Sequence, residues 1–512
     1  MGISTNILAM IFRLCIFLPL LFISPGHIEA QVPVKLKIIH WNDFHAQNQP
    51  MSVKGVNGSR YNVGGFAYFK SAIDSLKYVA QSKQEAFLEL DAGDNFQGTP
   101  ISGVTRGESQ IELLNLLHPD AVALGNHEFD YGWENLDSLI RFEARFDIVN
   151  ANIYHPDHSS FAKPYIIRQL GKLRVAIIGL TVEHLNNLTL PERIRGLQIA
   201  TYEESLRTYL KEIKKEKPSL IVVLSHIGVD ADRRLANEFP QVNIFVGGHS
   251  HTPLKAPIKE NYSLIVQAGS RGQFVGELEL EIDLTGDSVL SYEGKLIETK
   301  NEIFKPDSAI LRRVEELEAP VTAKYAETIG VLKKDWHVND GRQSNLAAFE
   351  SMVFRTRLSS DIGVINYGGL RKSLRAGNIT MRDIYEINPF ENELVSFDLR
   401  GDEVEHALEW MFDGKGSEFC EFSGLTCSVD TSAKPGNRIQ NIRIDGTPMD
   451  PTKTYSIATN IFVGSHLSSI FGLNDSTHPL RQSGVTDFDL IVEAIRKYKE
   501  ISGDSESWVK GL

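Results

Sequence analysis

The stretch ALGNHEFDYG, residues 123–132, places Asn126, His127, Glu128 and Asp130 directly after a short apolar run. Such a run, bounded by glycine, is typical of a buried β-strand, so the polar residues begin where the strand ends. Packing does not explain four polar side chains at the end of a buried strand. The residues that follow the neighbouring strands suggest a function for them.

From residue 34 to about 280, apolar stretches of strand length alternate with helical stretches. FAYFKSAIDSLKYVAQ (66–81) and YEESLRTYLKEIKKE (202–216) space their apolar residues near 3.6, which indicates helices. The alternation predicts a layered α/β domain. The predicted strands are KLKIIH, AFLEL, AVAL, FDIVNA, RVAIIGL, LIVVL, NIFVGG and LIVQAG.

Several of these strands run into side chains that ligate metals. Ligands collect beyond the carboxyl ends of strands in open α/β sheets, so we expect these side chains to converge. Taken singly, each motif also has a plain interpretation as a surface turn, a polar loop or a helix cap. Five such motifs in order, each after an apolar strand, favour a metal site. The candidate ligands are Asp43, His45, Asp94, Asn126, His226, His249 and His251.

Seven ligands of mixed nitrogen and oxygen type exceed the four that one zinc ion takes. They suit two divalent ions that share a carboxylate, an arrangement that recurs in phosphate ester hydrolysis. Imidazole, carboxylate and amide ligands fit Zn, Mn or Fe and do not choose among these metals.

The composition restricts the function classes. With 512 residues, 42% hydrophobic and 23% charged, the chain is typical of a soluble globular protein. A net charge of −13 argues against binding a nucleic-acid polymer, which needs clustered basic residues. A small anionic substrate is compatible with this net charge, because a metal or a local arginine cluster can outweigh the electrostatic field of the whole chain. No second apolar stretch of membrane-spanning length appears, and the oligomeric state is not indicated.

Residues 1–30 are predicted to be a signal peptide. Arg13 precedes the apolar run LCIFLPLLFIS (14–24), which is followed by the helix-breaking PG and a small-residue ending. No basic residue precedes Arg13, so an uncleaved anchor is the alternative. We expect export to a periplasmic or extracellular location. In an oxidising compartment Cys420 and Cys427 could form a disulfide or stay free thiols, since spacing does not fix geometry.

The rest of the chain divides into two domains. We predict a first domain over residues 31–300, a connecting helix within 301–328, and a second α/β domain over 329–512. The helix is indicated by the charged segment DSAILRRVEELEAPVTAKYAE (307–327).

The motifs D-x-H, G-D, G-N-H-E, a later S-H and G-H-x-H together resemble the calcineurin-like metallophosphoesterases. NYGGLR, INPFENELV and SGLTCSVDTSAKPGNRI in the second domain resemble the exported 5′-nucleotidase family, which includes UDP-sugar hydrolases and 2′,3′-cyclic nucleotide phosphodiesterases. The resemblance extends from residue 34 to about 500. It implies an N-terminal layered α/β/β/α metallophosphoesterase domain, a connecting helix and a C-terminal α/β nucleotidase-type domain.

The resemblance also implies roles for the candidate residues. Asp94 would bridge two ions, and a water activated by them would attack phosphorus in line. His127, oriented by Asp130, would stabilise charge or protonate the leaving oxygen. Glu128 receives no role and is expected to be solvated or to start a helix. One ion would be held with Asp43, His45 and His251, and the other with Asn126, His226 and His249.

For the substrate, the resemblance points to Arg371, Arg375 and Phe419. If the segment after Gly369 is helical, the two arginines share a face. Alternatively, Arg371 and Arg375 are solvated and Phe419 is a core residue. The chain departs from the family where a G-G-D-G motif followed by an aromatic residue is expected, since residues 466–471 read HLSSIF. Ser468 then stands near the place of the aspartate that holds the base, and the second stacking ring is Phe471 or absent.

The resulting expectation is a secreted dimetal phosphohydrolase that acts on nucleotides or related phosphate esters. The altered pocket leaves hydrolysis of cyclic nucleotides, nucleotide sugars or a sulfur-carrier substrate, as in related thiosulfohydrolases, as an alternative. A non-catalytic nucleotide-binding surface protein is a further alternative from another class.

Overall fold

Two six-stranded sheets form the N-terminal half of the computed structural model, which describes residues 33–338, 343–505 and 507–510. The predicted signal peptide lies outside these residues. The first sheet contains, in spatial order, Ser288–Glu298, Phe274–Asp283, Val34–Trp41, Ala86–Asp91, Ala121–Ala123 and Ile148–Val149. The second contains Ile258–Glu260, Ser263–Val266, Ile244–Gly247, Leu220–His226, Leu173–Thr181 and Tyr165–Leu170.

The two sheets pack face to face, because alternate residues of their strands are apolar. Ile38 of the first sheet and Val222 of the second belong to one buried cluster. Ile39 points to the opposite side, where it packs with the helix Phe66–Ser82. The helix Tyr202–Ile213 covers the outer face of the second sheet. This α/β/β/α layering confirms the predicted fold of the first domain.

A mixed five-stranded sheet forms the centre of the C-terminal half. The helices Asn345–Leu358 and Asp487–Tyr498 pack on one face and Gly401–Phe412 on the other, which gives a second α/β unit as predicted. Its strands are Cys420–Ser423, Ile362–Asn366, Thr454–Asn460, Glu393–Arg400 and Arg481–Thr486. Two smaller sheets contain Gly377–Thr380, Thr328–Leu332 and Glu500–Ile501, and Thr447–Pro448, Ile439–Ile444, Leu425–Val429 and Val509–Lys510.

The helix Ser308–Tyr325 lies between the two halves, within the segment predicted to connect them. It begins after Asp307, whose carboxylate accepts hydrogen bonds from two backbone N–H groups of the first turn. Val314 packs with the N-terminal half and Tyr325 with the C-terminal core, so the helix ties the halves together. The domain boundaries stay a prediction. The remaining α-helices are Pro100–Thr105, Glu108–Leu117, Trp133–Phe142, Val229–Glu238, Met381–Ile387, Ile461–Gly464 and Leu467–Phe471.

Cys420 and Cys427 are both buried and are free thiols, so of the two alternatives the structure has no disulfide. Across the described residues, no helix has both the length and the apolar character that crossing a bilayer requires.

Candidate active site

The side chains predicted as ligands lie together at the carboxyl ends of parallel strands from both sheets. Three of them form one group, in which His251 Nε2 is 3.1 Å from Asp43 Oδ1 and 3.0 Å from His45 Nε2. Ligand atoms of these three residues all lie within 4.8 Å of one another. Two imidazole nitrogens that face each other beside a carboxylate are arranged as ligands of one cation.

A second group surrounds Asp94. Its Oδ2 is 3.1 Å from His226 Nε2, and His249 Nδ1 is 3.0 Å from Asn126 Oδ1. Asp94, His226 and His249 also offer ligand atoms within 4.8 Å of one another. The structure therefore brings together all seven predicted residues.

Two orphaned atoms test whether a metal fits this site. Asp43 Oδ1 and His226 Nε2 are buried, and their 3.1 Å contacts with His251 Nε2 and Asp94 Oδ2 do not have hydrogen-bond geometry. His226 Nδ1 lies 2.7 Å from the Ala92 carbonyl oxygen, so Nδ1–H donates there and Nε2 is the nitrogen left to face the cluster. A cation that displaces the proton from Nε2 would be bound by this nitrogen. The donor set fits a divalent metal.

The charges in this cluster also favour a cation. Burial opposes protonation of His226, but the carboxylates of Asp94 and Asp43 outweigh it and raise its pKa to about 10. Burial, with the neighbouring His226, lowers the pKa of His249 to about 3. Burial opposes ionisation of Asp94, yet His226 and His127 hold its pKa well below the usual value. Where carboxylates and imidazoles compete for protons, a metal ion replaces the protons on binding.

The ligand loops have unusual backbone conformations. Non-glycine residues seldom adopt positive φ, at a cost of about 1–3 kcal/mol each, and such residues cluster at functional sites. Gly125 allows the close approach of two loops, because a Cβ there would lie 2.1 Å from Asp94 Oδ1. Five of the seven predicted ligands have positive φ, namely Asp43 (53°), His45 (50°), Asp94 (59°), His249 (75°) and His251 (52°).

Glu128 is buried, so it is not solvated; it lies in the first turn of the 3₁₀ helix His127–Phe129, in agreement with the helix-start alternative. Its Oε2 accepts hydrogen bonds from the backbone N–H groups of Asp94 (3.0 Å) and Gly125 (2.7 Å). Its Oε1 accepts one from the N–H of Asn95 at 2.7 Å. One carboxylate thus ties the loop of Asp94 to the loop of Asn126. Sequence reasoning missed this role, because the partners are backbone groups that any residue provides.

We expect Glu128→Ala to lower the melting temperature and to weaken metal binding by about 10–100-fold, the usual effect of losing a residue that supports ligands. Each buried N–H left without an acceptor costs about 1–3 kcal/mol. Thermal unfolding and metal titration by calorimetry measure both effects. Glu134→Gln, at an exposed position on the following helix, is the matched control. Wild-type metal affinity in Glu128→Ala would remove the supporting role.

His127 and Asp130 form the predicted pair. His127 Nδ1 lies 2.7 Å from Asp130 Oδ2, and Thr189 donates a hydrogen bond to Asp130 Oδ1 at 3.4 Å. Burial opposes protonation of His127, but Asp130 and Asp94 outweigh it and raise its pKa. The other ring nitrogen, Nε2, is 3.9 Å from Asp94 Oδ2, beside the cluster. An imidazole oriented in this way can donate a proton or a hydrogen bond to a bound group.

A cavity of about 670 Å³ opens over this cluster, between the two halves of the chain. Arg371 lines it as predicted, and its backbone oxygen accepts a hydrogen bond from Arg271 Nη2 at 2.7 Å. Arg375 is exposed and is not among the lining residues. The segment after Gly369 is not helical, since Leu374 pairs with Trp336, so the expectation of a shared face is wrong.

The aromatic residues of the cavity also differ from the predicted ones. Phe419 is not a lining residue; its ring packs with Tyr367, Phe412 and Trp508 at centroid distances of 5.6, 5.3 and 6.5 Å. This agrees with the alternative interpretation of Phe419 as a core residue.

The segment 466–471 likewise turns away from the cavity. Phe471 is buried in the C-terminal core, and the exposed Ser468 donates a hydrogen bond to Asp475 at 2.6 Å. The phenylalanines that line the cavity are Phe390 and Phe462, and Tyr131 and Tyr385 line it as well. Phe390 lies in the quoted motif INPFENELV but received no role, and no sequence signal singled out Phe462.

Two buried carboxyl groups lie next to the loop of residues 388–392, which forms part of the cavity wall. Asn388 Nδ2 is 3.1 Å from Asp487 Oδ2 and 3.4 Å from Glu350 Oε2. Burial raises the pKa of both acids to about 8, and the proximity of Asp487 adds to the rise at Glu350. The backbone N–H of Asp487 donates a hydrogen bond to the Asn392 carbonyl oxygen at 2.8 Å. This bond holds the other end of the loop 388–392.

This pair gives stability a pH dependence. The pKa of Glu350 is about 8 when folded and about 4 when unfolded, so unfolding releases a proton between these values. The contribution of Glu350 to the free energy of unfolding is therefore full near pH 4 and is lost as the pH rises toward 8. We expect Glu350→Gln to flatten this slope and to gain about 1–4 kcal/mol over wild type at pH 8 relative to pH 5. Chemical unfolding at both pH values measures it, with the exposed Glu405→Gln as control. Equal slopes in the three proteins would contradict it.

Comparison with known proteins gives the same two-part division. The calcineurin-like phosphoesterase family matches residues 36–253, and the 5′-nucleotidase C-terminal domain matches residues 325–471. The chain is 28% identical over 524 residues to a 5′-nucleotidase-related protein of Glossina morsitans morsitans, covering 92% of this chain and 93% of that protein. It is 29% identical over 488 residues to a 5′-nucleotidase of Vibrio cholerae, covering 85% of each.

Among solved structures, a 5′-nucleotidase precursor from Thermus thermophilus superposes with a TM-score of 0.83 at 28% identity, covering 93% of this chain and 99% of that chain. The similarity therefore includes both halves and the helix between them.

Proposed function

Because the chain belongs to the calcineurin-like phosphoesterases with a 5′-nucleotidase C-terminal domain, and is a metal-dependent phosphoester hydrolase, we propose that it removes phosphate from nucleotides or related phosphate esters. The observation that carries the proposal is the cluster of seven ligands with two orphaned buried atoms, Asp43 Oδ1 and His226 Nε2, directly beside the His127–Asp130 pair.

Two divalent ions, Zn, Mn or Fe, would occupy this cluster. Asp43, His45 and His251 would hold one ion, and Asn126, His226 and His249 the other, with Asp94 between them. When bound, such ions lower the pKa of water and neutralise charge on phosphoryl oxygens.

The chain's own groups supply the rest of the chemistry. His127, with its tautomer fixed by Asp130, would donate a proton or hydrogen bond to the leaving oxygen. The guanidinium of Arg371 would hold and orient the substrate. Phe390 and Phe462, which line the cavity, would stack on an aromatic leaving group, a contact worth about 1–3 kcal/mol per base.

Export to a periplasmic or extracellular location is part of the proposal. It rests on the apolar run that follows Arg13 in the sequence.

Elemental analysis combined with a substrate screen tests the proposal. Protein prepared with Zn, Mn or Fe is assayed on nucleoside monophosphates, cyclic nucleotides, nucleotide sugars and thiosulfonate esters. Two ions per chain and phosphate release from nucleotides are expected. Activity confined to another ester class would replace the nucleotide assignment. Full-length protein that retains no metal would favour a binding protein without catalysis.

We expect Arg371→Ala to raise KM by about 10–100-fold and to change kcat less, because a charged hydrogen bond to substrate is lost. Steady-state kinetics on a nucleoside monophosphate measures both constants. Arg375→Ala, four residues along the same loop and exposed outside the cavity, is the matched control and should change KM less than twofold. An unchanged KM in Arg371→Ala would leave Arg371 without the substrate role.

A further inference from the structure

Three arginines line the cavity without forming ion pairs with the acids that also line it, which are Asp94, Asp130, Glu391 and Glu418. Arg106, Arg193 and Arg371 all line it, and none of them forms an ion pair with a carboxylate of the described residues. Arg371 and Arg106 donate to backbone carbonyl oxygens, at 3.3 Å and 2.7 Å. In a chain with a net charge of −13, a cavity lined by unpaired guanidinium groups attracts anions locally.

Arg193 is the least satisfied of the three. Its guanidinium donates to no described residue, and its Nε is buried without a partner. A buried donor without an acceptor is unfavourable, so this side chain is arranged for an acceptor from outside the chain. Its planar, permanently charged fork matches the paired oxygens of a phosphoryl group.

The place of Arg193 identifies the side of the cavity on which that acceptor binds. Arg193 lies in the 3₁₀ turn Pro191–Ile194, four residues after Thr189, which bonds the carboxylate that orients His127. The segment thus lines the same cavity as His127, the group assigned to the leaving oxygen in the proposed function. Of the carboxylates that line the cavity, Glu418 accepts a hydrogen bond from Gly368 N at 3.0 Å, and Asp130 pairs with His127. Asp94 lies 3.1 Å from His226, and Glu391 forms no ion pair with the three arginines among the described residues.

We propose that Arg193 binds a second phosphoryl group, on the leaving-group side of the phosphate that is cleaved, so that the cavity favours substrates of the nucleoside diphosphate class over monophosphates. This specificity rests on the proposed function of the same site. Arg106 belongs to a different segment of the chain, lines the same cavity and adds its positive charge there.

The test compares kcat/KM for ADP and AMP in the full-length, metal-loaded protein. ADP leaves a phosphoryl group on its leaving group and AMP does not. We expect Arg193→Ala to lower the ratio of kcat/KM for ADP to that for AMP by about 10–100-fold, the range of one charged hydrogen-bond pair. Arg195→Ala removes the same charge from an exposed position two residues away and should leave the ratio within twofold. An unchanged ratio in Arg193→Ala overturns the proposal.

A binding measurement keeps the proposal testable without turnover. The affinity for α,β-methylene-ADP is measured by calorimetry in phosphate-free buffer for the wild type and both variants. A dissociation constant raised at least about tenfold in Arg193→Ala alone supports the second phosphoryl site. Equal constants in the three proteins, or no measurable binding by the wild type, overturn it. Failure of the proposed function is seen separately, as binding without hydrolysis of either nucleotide.

Discussion

Asp94→Asn is expected to bind neither metal ion and to lose kcat/KM by on the order of a thousandfold or more. Asp94 Oδ2 lies 3.1 Å from His226 Nε2, while Oδ1 accepts a hydrogen bond from the backbone N–H of His127 at 2.9 Å. An amide in this position has one oxygen in place of two and puts an N–H₂ group against donors. Both groups of ligands are therefore disrupted by a single change of atom.

Metal content by elemental analysis, together with phosphate release, measures this prediction. Asp230→Asn, an exposed substitution in the same half of the chain, controls for charge and handling and should keep both ions. An Asp94→Asn protein that retains two ions per chain would show that this carboxylate does not join the two groups.

His127→Ala is expected to keep both metal ions and to lose kcat by about 10²–10⁴-fold, the usual contribution of a positioned acid or base. Its Nδ1 is occupied by Asp130, and its Nε2 lies 3.9 Å from Asp94 Oδ2, beside the ligand cluster. The side chain can therefore be removed without taking a ligand from either group.

Kinetics and elemental analysis on the same preparation separate these two effects. Asp130→Asn, which keeps the imidazole but loses its orienting carboxylate, should lie between wild type and His127→Ala in kcat. Metal loss in His127→Ala would mean that this imidazole is itself a ligand. Full turnover would assign the leaving-oxygen chemistry to another group.

The sequence predicted the layered fold and the meeting of the seven candidate ligands for one physical reason. Strand periodicity indicates where each strand ends, and parallel strands in a layered fold bring those ends to one edge. Asp43 and His251 are far apart in sequence, yet they meet because each follows a strand of this kind.

The parts that sequence did not predict depend on packing and on backbone conformation. Glu128 is held by N–H groups of loops that have positive φ, and no residue pattern specifies such loops. Phe419 is a core ring because Phe412 and Trp508 happen to surround it, which only tertiary contacts decide. Arg375 points outward because Leu374 pairs with Trp336 in a bridge rather than continuing a helix.

The sharing of one ligand cluster by both six-stranded sheets has a consequence for how the N-terminal half holds together. Asp94 follows a strand of the first sheet and His226 ends a strand of the second, so their contact at 3.1 Å joins the two layers. Divalent cations bound at this place would therefore cross-link the two sheets. Their binding free energy would add to the stability of the folded state in proportion to the logarithm of the free metal concentration. Removal of the metals would then destabilise the N-terminal half and stop the reaction together.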